Sequence, residues 1–256
     1  MEDVNILSPG KRLRQIRKML KLGQETLAGD KFSKNYISMF ENDKRAINAI
    51  NAGYLANRIN TLAKKTGENI EIDSSYLLKS NIDIAKDKCQ GWLSEVDNNL
   101  SLDIRKIYEN LYKVIILSSE YDLIKYRARA LYLKGKYSLL NSRYECAITQ
   151  FLEALIYYGQ ENDYNGISEI YKSIGKVYYL QKEYKQALIY FNLSDSILEK
   201  SKLVDSSKRN EIKYYRALCY HDMDDDAMAK RIIKDVNMEN LKVMELAEKV
   251  NNIFAI

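Results

Sequence analysis

Three stretches of the chain, each set about forty residues after the one before, place charged residues and tyrosines at spacings of three and four, and between them they hold four Lys or Arg, two glutamates and three tyrosines. They are Arg129, Tyr132, Lys136 and Leu139; then Glu169, Lys172, Lys176 and Tyr179; then Glu211, Tyr214, Leu218 and His221. Such spacing puts each set on one face of a helix. Three such faces side by side would line a groove suited to a short, extended ligand, anionic at one end, whose carboxylate meets Lys136, Lys172 or Lys176. The plainer alternative makes each of these lysines an ordinary solvated side chain. His221 is the only histidine and has no partners for a metal site or a catalytic triad, so a hydrogen bond in the groove is its expected role. Cys89, Cys146 and Cys219 are odd in number and widely separated, which points to neither a disulfide framework nor a zinc site. With no glycine-rich phosphate loop and no nucleophile motif, the chain is expected to be neither an enzyme nor a cofactor protein.

The elements that must hold these residues repeat. Gly135, Ala147, Phe151 and Ala154 recur as Gly175, Ala187, Phe191 and Ser194, and again as Ala217, Ala229, Ile233 and Val236. A small residue on one helix facing a small-large-small stripe on the next is the tetratricopeptide pattern of stacked helix pairs. The period exceeds the usual 34 or so residues, which predicts longer helices together with longer loops such as 160–164. Residues 82–96 and 101–117 lack the stripe and are expected to form a capping or clamping pair. An apolar helix over 241–256 is expected to dock on the last repeat or on a second subunit.

Composition agrees with an all-α chain. In 256 residues there is one proline, Pro9, and ten glycines, leaving few helix breakers. Charge is divided unevenly. Residues 1–66 hold thirteen Lys and Arg against six Asp and Glu, a net +7 within a whole-chain +5, so the remaining 190 residues carry −2. A local basic excess of this size suits a polyanion; lysine-rich solubility is the alternative. No run of eighteen apolar residues is present, so a cytoplasmic protein with no membrane partner is expected.

Within the basic segment, Pro9 suits the first turn of a helix whose buried stripe is Leu13, Ile16 and Leu20, and Gly23 ends it. Gln24 to Ala28 reads as a short helix, and Ser33 as the N-cap of another through Glu41. The stretches Gly23-Gln24-Glu25-Thr26-Leu27-Ala28, Ser33-Lys34-Asn35-Tyr36-Ile37-Ser38 and Phe40-Glu41-Asn42-Asp43-Lys44-Arg45 resemble the helix-turn-helix of Xre-like, phage-repressor-type regulators. The turn is one residue shorter than in the phage repressors, as also occurs in PlcR-like regulators. The resemblance implies that the helix from Ser33 enters the major groove of double-stranded DNA. Lys34, Asn35 and Met39 then take base-facing positions, with Tyr36 and Ser38 close by, and Gln24 the backbone-contacting one. Asn35 suits adenine and Lys34 guanine, unless both are merely solvated; Met39 either touches a thymine methyl or packs. Arg17, Lys44 and Arg45 suit phosphates. Glu41 is expected to bridge to a basic residue of the first helix. Asp43 stands where the family has glycine.

Residues 46–65 are expected to form one long helix or two short ones broken near Gly53, closing the small core. The expected layout is a five-helix helix-turn-helix domain over residues 1–67, a linker over 68–80, and a tetratricopeptide-like α-solenoid over 81–256. Taken whole, it resembles the peptide-pheromone-controlled regulators of the RRNPP family. That resemblance implies a cytoplasmic homodimer for quorum sensing. It would bind operator DNA and be switched when a short signalling oligopeptide fills the groove and changes its curvature, displacing two DNA heads whose half-sites lie about 34 Å apart. Two rival readings are a protein–protein adaptor using the repeats as scaffold, and a phage-type repressor using them only to dimerise.

Overall fold

The computed structural model describes residues 4–98, 103–201 and 206–234, and the regular elements among them are all α-helices. Two compact units divide the chain, residues 1–95 and 96–256. The first holds α1 (Pro9–Met19), α2 (Gln24–Ala28), α3 (Lys34–Glu41), α4 (Ala49–Thr66), α5 (Ser74–Leu78) and most of α6 (Asn81–Asn98).

Its core is the apolar stripe of each short helix. Leu13, Ile16, Leu20, Leu27, Ala28, Ile37 and Phe40 are buried together with Leu55 and Ile59. Side chains start the helices. The Ser8 hydroxyl accepts from Lys11 N at 3.4 Å, Ser33 from Tyr36 N at 3.3 Å and Asn48 from Asn51 N at 2.9 Å. Asp43, in the glycine position, adopts a left-handed φ of 56° itself and accepts hydrogen bonds from Gly10 N (3.0 Å) and the Ser8 hydroxyl (2.5 Å). The aspartate therefore ties the end of α3 to the start of α1, which a glycine would not do. Gly10 permits that approach, because a Cβ there would collide with the carbonyl oxygen of Phe40. No break occurs at Gly53: α4 is continuous. Residues 68–80 pack on this same unit. The Asn60 amide bonds Ile72 both ways, donating to its carbonyl and accepting from its N–H at 2.9 Å each, and Leu77 is fully buried.

The second unit contains α7 (Ile104–Glu120), α8 (Ile124–Leu140), α9 (Tyr144–Gln160), α10 (Tyr164–Leu180), α11 (Tyr184–Lys200), α12 (Ser206–His221) and α13 (Asp226–Lys234). Helices α8 to α11 are 17 residues each, and only three residues separate consecutive ones. The forty-residue period thus comes from long helices alone. The long loops expected near residues 160–164 are absent, because the helices run through Gln160 and restart at Tyr164. Each turn is closed in the same way. Asp122, Ser142, Asn162 and Lys182 adopt left-handed φ of 53–64°, and the next N–H reaches back five residues, as in Arg143 N to Ser138 O at 2.9 Å.

Helix pairs close through the glycines. A Cβ on Gly135 would lie 2.6 Å from the Phe151 ring, and one on Gly175 would lie 2.7 Å from the Phe191 ring. Both rings are fully buried, each worth roughly 1.5–3 kcal/mol of apolar burial. In the third copy Ala217 takes the glycine site, and the large position holds Ile233, not phenylalanine. Val236, and the helix expected over 241–256, lie outside the described residues.

Gly175→Ala should therefore cost about 1–2 kcal/mol in urea unfolding, overpacking outweighing a helix-propensity gain of up to about 1 kcal/mol. In a Phe191→Leu background the same change should cost little or stabilise. Equal costs in both backgrounds would show that the ring does not set the requirement.

Candidate nucleic-acid interface and repeat groove

Behind α3 sits one buried carboxylate. Glu41 is 2% exposed, and it receives Arg17 Nε at 2.5 Å, Arg17 Nη2 at 2.9 Å and Gln24 Nε2 at 2.8 Å. Arg17 also donates to the Leu22 carbonyl at 2.7 Å, so α1, the turn before α2, α2 and α3 meet on a single charge cluster. Burial opposes ionisation of Glu41, and the hydrogen bonds from Arg17 and Gln24 outweigh it, holding the carboxyl below its usual range. Glu41 has the bridging role expected of it. The same bonds turn the Arg17 guanidinium and the Gln24 amide N–H inward. Neither is presented as the free phosphate-contacting donor read from the sequence, because a buried carboxylate outcompetes solvent for both.

The outer face of α3 is arranged differently. Lys34, Asn35 and Lys44 are exposed, and among the described residues their side chains have no hydrogen-bond or ion-pair partner. Met39 is 38% exposed. Tyr36 is half-buried and packs, stacking on Phe32 (centroids 5.3 Å apart) and meeting Phe40 edge-on (5.1 Å). Its ring also carries the Arg45 guanidinium at 4.4 Å, fixing that cation where α3 ends. Ser38 accepts from the Asn42 amide through its carbonyl (2.8 Å) and hydroxyl (3.4 Å). What faces outward is thus Lys34, Asn35 and Met39, flanked by Lys44 and Arg45, on a frame held by Glu41 and by bonds from Tyr54 to Ala28 O (3.0 Å) and Arg58 to Thr26 O (3.1 Å).

In the second unit a hollow of about 770 Å³ runs along α8, α10 and α12. It gathers Tyr132, Lys136, Leu139, Glu169, Lys172, Lys176, Tyr179 and Glu211 from the sequence-predicted face. The lysines are not equivalent. Lys172, 5% exposed, bridges Glu169 (2.8 Å) and Glu211 (2.7 Å), while Lys176 bonds Glu211 at 2.6 Å and lies 4.6 Å over the Tyr215 ring. Tyr132 donates to Glu169 at 2.9 Å. Burial and the adjacent Glu169 carboxylate push its phenol well above the usual range, keeping it a donor. Among the described residues Lys136 alone of these three lysines has no carboxylate partner.

The other predicted groove residues are held elsewhere. Arg129 pairs with Asp97 (3.1 Å) and lines an adjoining cleft with Tyr132, Lys136 and Glu169. Tyr214 is buried in a cluster with Leu218. The Nδ1 of His221 meets Asp226 at 2.7 Å, at the start of α13, away from the groove position expected for it. Sequence reasoning missed Ser142, Tyr144 and Tyr215, which also line the hollow. The signal for Tyr144 was available, since Tyr184 repeats it forty residues on at the first position of α11.

Fold and site together define a protein with a helix-turn-helix head and a second unit of repeated helical hairpins. A family described as a helix-turn-helix domain matches residues 10–81, which lie within the first unit. No curated protein matches the chain. Among solved structures, Bacillus thuringiensis PlcR in complex with the peptide PapR7 and DNA is 13% identical, with a TM-score of 0.42 over 96% of this chain and 98% of that one. ComR from S. thermophilus in complex with DNA and its signalling peptide ComS is 11% identical, with a TM-score of 0.33 over the same shares.

Glu211 supplies a pH test. Burial opposes its ionisation, but Lys176 and Lys172 hold its carboxyl down at about 2, against about 4.3 in an unfolded chain. Its stabilisation is therefore complete above the unfolded value and is lost as pH falls from there toward 2. The stability gap between the natural chain and Glu211→Gln should be on the order of 2 kcal/mol at pH 7 and close progressively below pH 4.5. A gap independent of pH would remove the ion pairs from the account.

Proposed function

We propose that the chain is a transcription regulator of the RRNPP kind, a cytoplasmic homodimer whose operator binding is controlled by a short signalling peptide held in the hollow of the second unit. The observation that carries the reading is that hollow. Its lining combines Leu139, Leu140, Leu180 and the rings of Tyr144, Tyr179 and Tyr215 with one uncompensated cation, Lys136. Apolar walls with few convergent polar groups suit a small extended ligand, and an unpaired ammonium suits its terminal carboxylate. Lys172 and Lys176, already neutralised by glutamates, are left to shape the wall, and Glu169, Glu211 and Tyr132 offer partners to peptide N–H and carbonyl groups.

On the DNA side, α3 lies in the major groove with Asn35 and Lys34 reading base edges and Met39 beside them. Lys44 and Arg45 take phosphates. Tyr36 and Ser38 act from behind, Tyr36 by aligning Arg45. Gln24 and Arg17 fix the angle between α2 and α3 through Glu41. Among the described residues no helix is long and apolar enough to cross a membrane. A peptide that fits one state of the repeat unit better than another shifts the regulator toward that state, and so couples the hollow to the DNA head by linkage.

Binding of the full chain to a pool of random duplexes should weaken steeply with salt, and the Lys44→Ala, Arg45→Ala double variant should flatten the log–log slope by about 2. Asn35→Ala should leave that non-specific slope unchanged while abolishing enrichment of any one sequence from the pool. A pool of aliphatic and aromatic heptapeptides should alter the enrichment or the affinity with Lys136 present and fail to do so with Lys136→Ala. Salt-independent binding would reject the DNA assignment, and indifference to every peptide would reject the control.

A further inference from the structure

A second hollow, of about 530 Å³, lies within the first unit, where the segment before α1 meets α1, α5 and α6. It is lined by Asn5, Ile6, Leu7, Arg12, Gln15, Tyr76, Ile84 and Lys88. Two of these are cations and none is a carboxylate. Arg12 is 2% exposed and has no ion-pair partner among the described residues. Its Nη1 donates to the Leu7 carbonyl at 2.8 Å, its Nη2 donates to the Lys79 carbonyl, its guanidinium lies 5.3 Å over the Tyr76 ring, and its Nε has no acceptor. The contrast with Arg17, on the same helix and bidentate on Glu41, is direct. Asp43 is the acid that acts on Arg12 through space, but its oxygens are taken by Ser8 and Gly10. Burial lowers the pKa of Arg12, as expected of a cation taken from water without a counter-ion.

Three neutral polar side chains around the hollow have hydrogen-bonding capacity to spare. Among the described residues the side-chain amides of Asn5 and Gln15 and the Tyr76 hydroxyl have no hydrogen-bond partner. Ile6, Leu7 and Ile84 make the rest of the wall apolar. We propose that this hollow binds a small organic oxyanion, a carboxylate or phosphate on a compact apolar body, with Arg12 and Lys88 neutralising the charge and Gln15, Asn5 and Tyr76 completing its hydrogen bonds. The site is separate from the peptide hollow and does not rest on the function proposed above.

Trp92, the only tryptophan, reports on it, since the Lys88 ammonium lies 6.0 Å over the indole. Phenyl phosphate and benzoate, titrated into the full chain at constant ionic strength, should give a saturable change in Trp92 emission and a calorimetric Kd. Chloride should give neither, and the stronger of the two probes identifies the headgroup. Gln15→Leu with Lys88→Gln should weaken binding by about tenfold or more, while Lys34→Ala, Lys44→Ala and Arg45→Ala together should leave it unchanged. The proposal is overturned if neither probe saturates, if the Gln15/Lys88 variant binds as before, or if the DNA-face variant is the one that loses binding. Glu2→Gln with Asp3→Asn should not alter the Kd; a tenfold tightening would mean that the chain's own acidic residues fill the hollow instead.

Discussion

The distance between the two helices of a repeat is the constraint from which the second unit follows. Two phenylalanines fully buried against glycines lock α9 onto α8 and α11 onto α10 at a separation no other residue at 135 or 175 would allow. Close approach of backbones requires the missing Cβ, and the ring fills what that absence leaves. From α8 to α10, equal helices and three-residue turns return the first helix of a pair to the same rotational setting. This is why side chains forty residues apart come to line one hollow. The turns contribute by sequence economy: a single left-handed residue and one backward hydrogen bond stop a helix without adding loop length.

In the helix-turn-helix unit a buried charge does the work that small residues do in the repeats. Glu41 joins three elements that are too short to be stable alone, α2 having only five residues. A buried carboxylate is costly when any partner is removed, so Arg17 and Gln24 must both hold their places for Glu41 to stay satisfied behind α3. Under the proposed DNA-binding role, orientation would matter there because base reading depends on where a few side chains at the start of such a helix point.

Much of this was legible in the residues, for identifiable reasons. Gly135, Gly175 and their stripes declare the hairpins because packing constraints of that severity leave few alternatives at each site. Ser33 as N-cap and Leu13, Ile16, Ile37 and Phe40 as core follow from local propensity and period. What stayed hidden was the choice of partner. Nothing in the spacing says that Arg17 and Gln24 share one acid, that Glu211 neutralises lysines 35 and 39 residues away, or that His221 turns to Asp226. Periodicity gives the face of a helix; it does not give the partner chosen across that face. The length of the turns misled for a related reason, since a long period is compatible with either long helices or long loops until hydrogen bonding decides.

The charge pattern of the repeat hollow also bears on what such a surface is for. Three lysines and two glutamates would make a strongly polar trough if each were solvated, yet four of the five are tied to one another, with Tyr132 bonded to Glu169. Replacing such a network by apolar residues is often neutral or stabilising, so stability alone gives little reason to keep it. For a ligand bound as proposed, its physical consequence would be selectivity. A ligand group with no means of satisfying the edges of that network forfeits hydrogen bonds on entry, while one carrying amides loses none. Under the proposed function the remaining cation, Lys136, would set the polarity with which an asymmetric ligand lies, because only its anionic end would find a partner there.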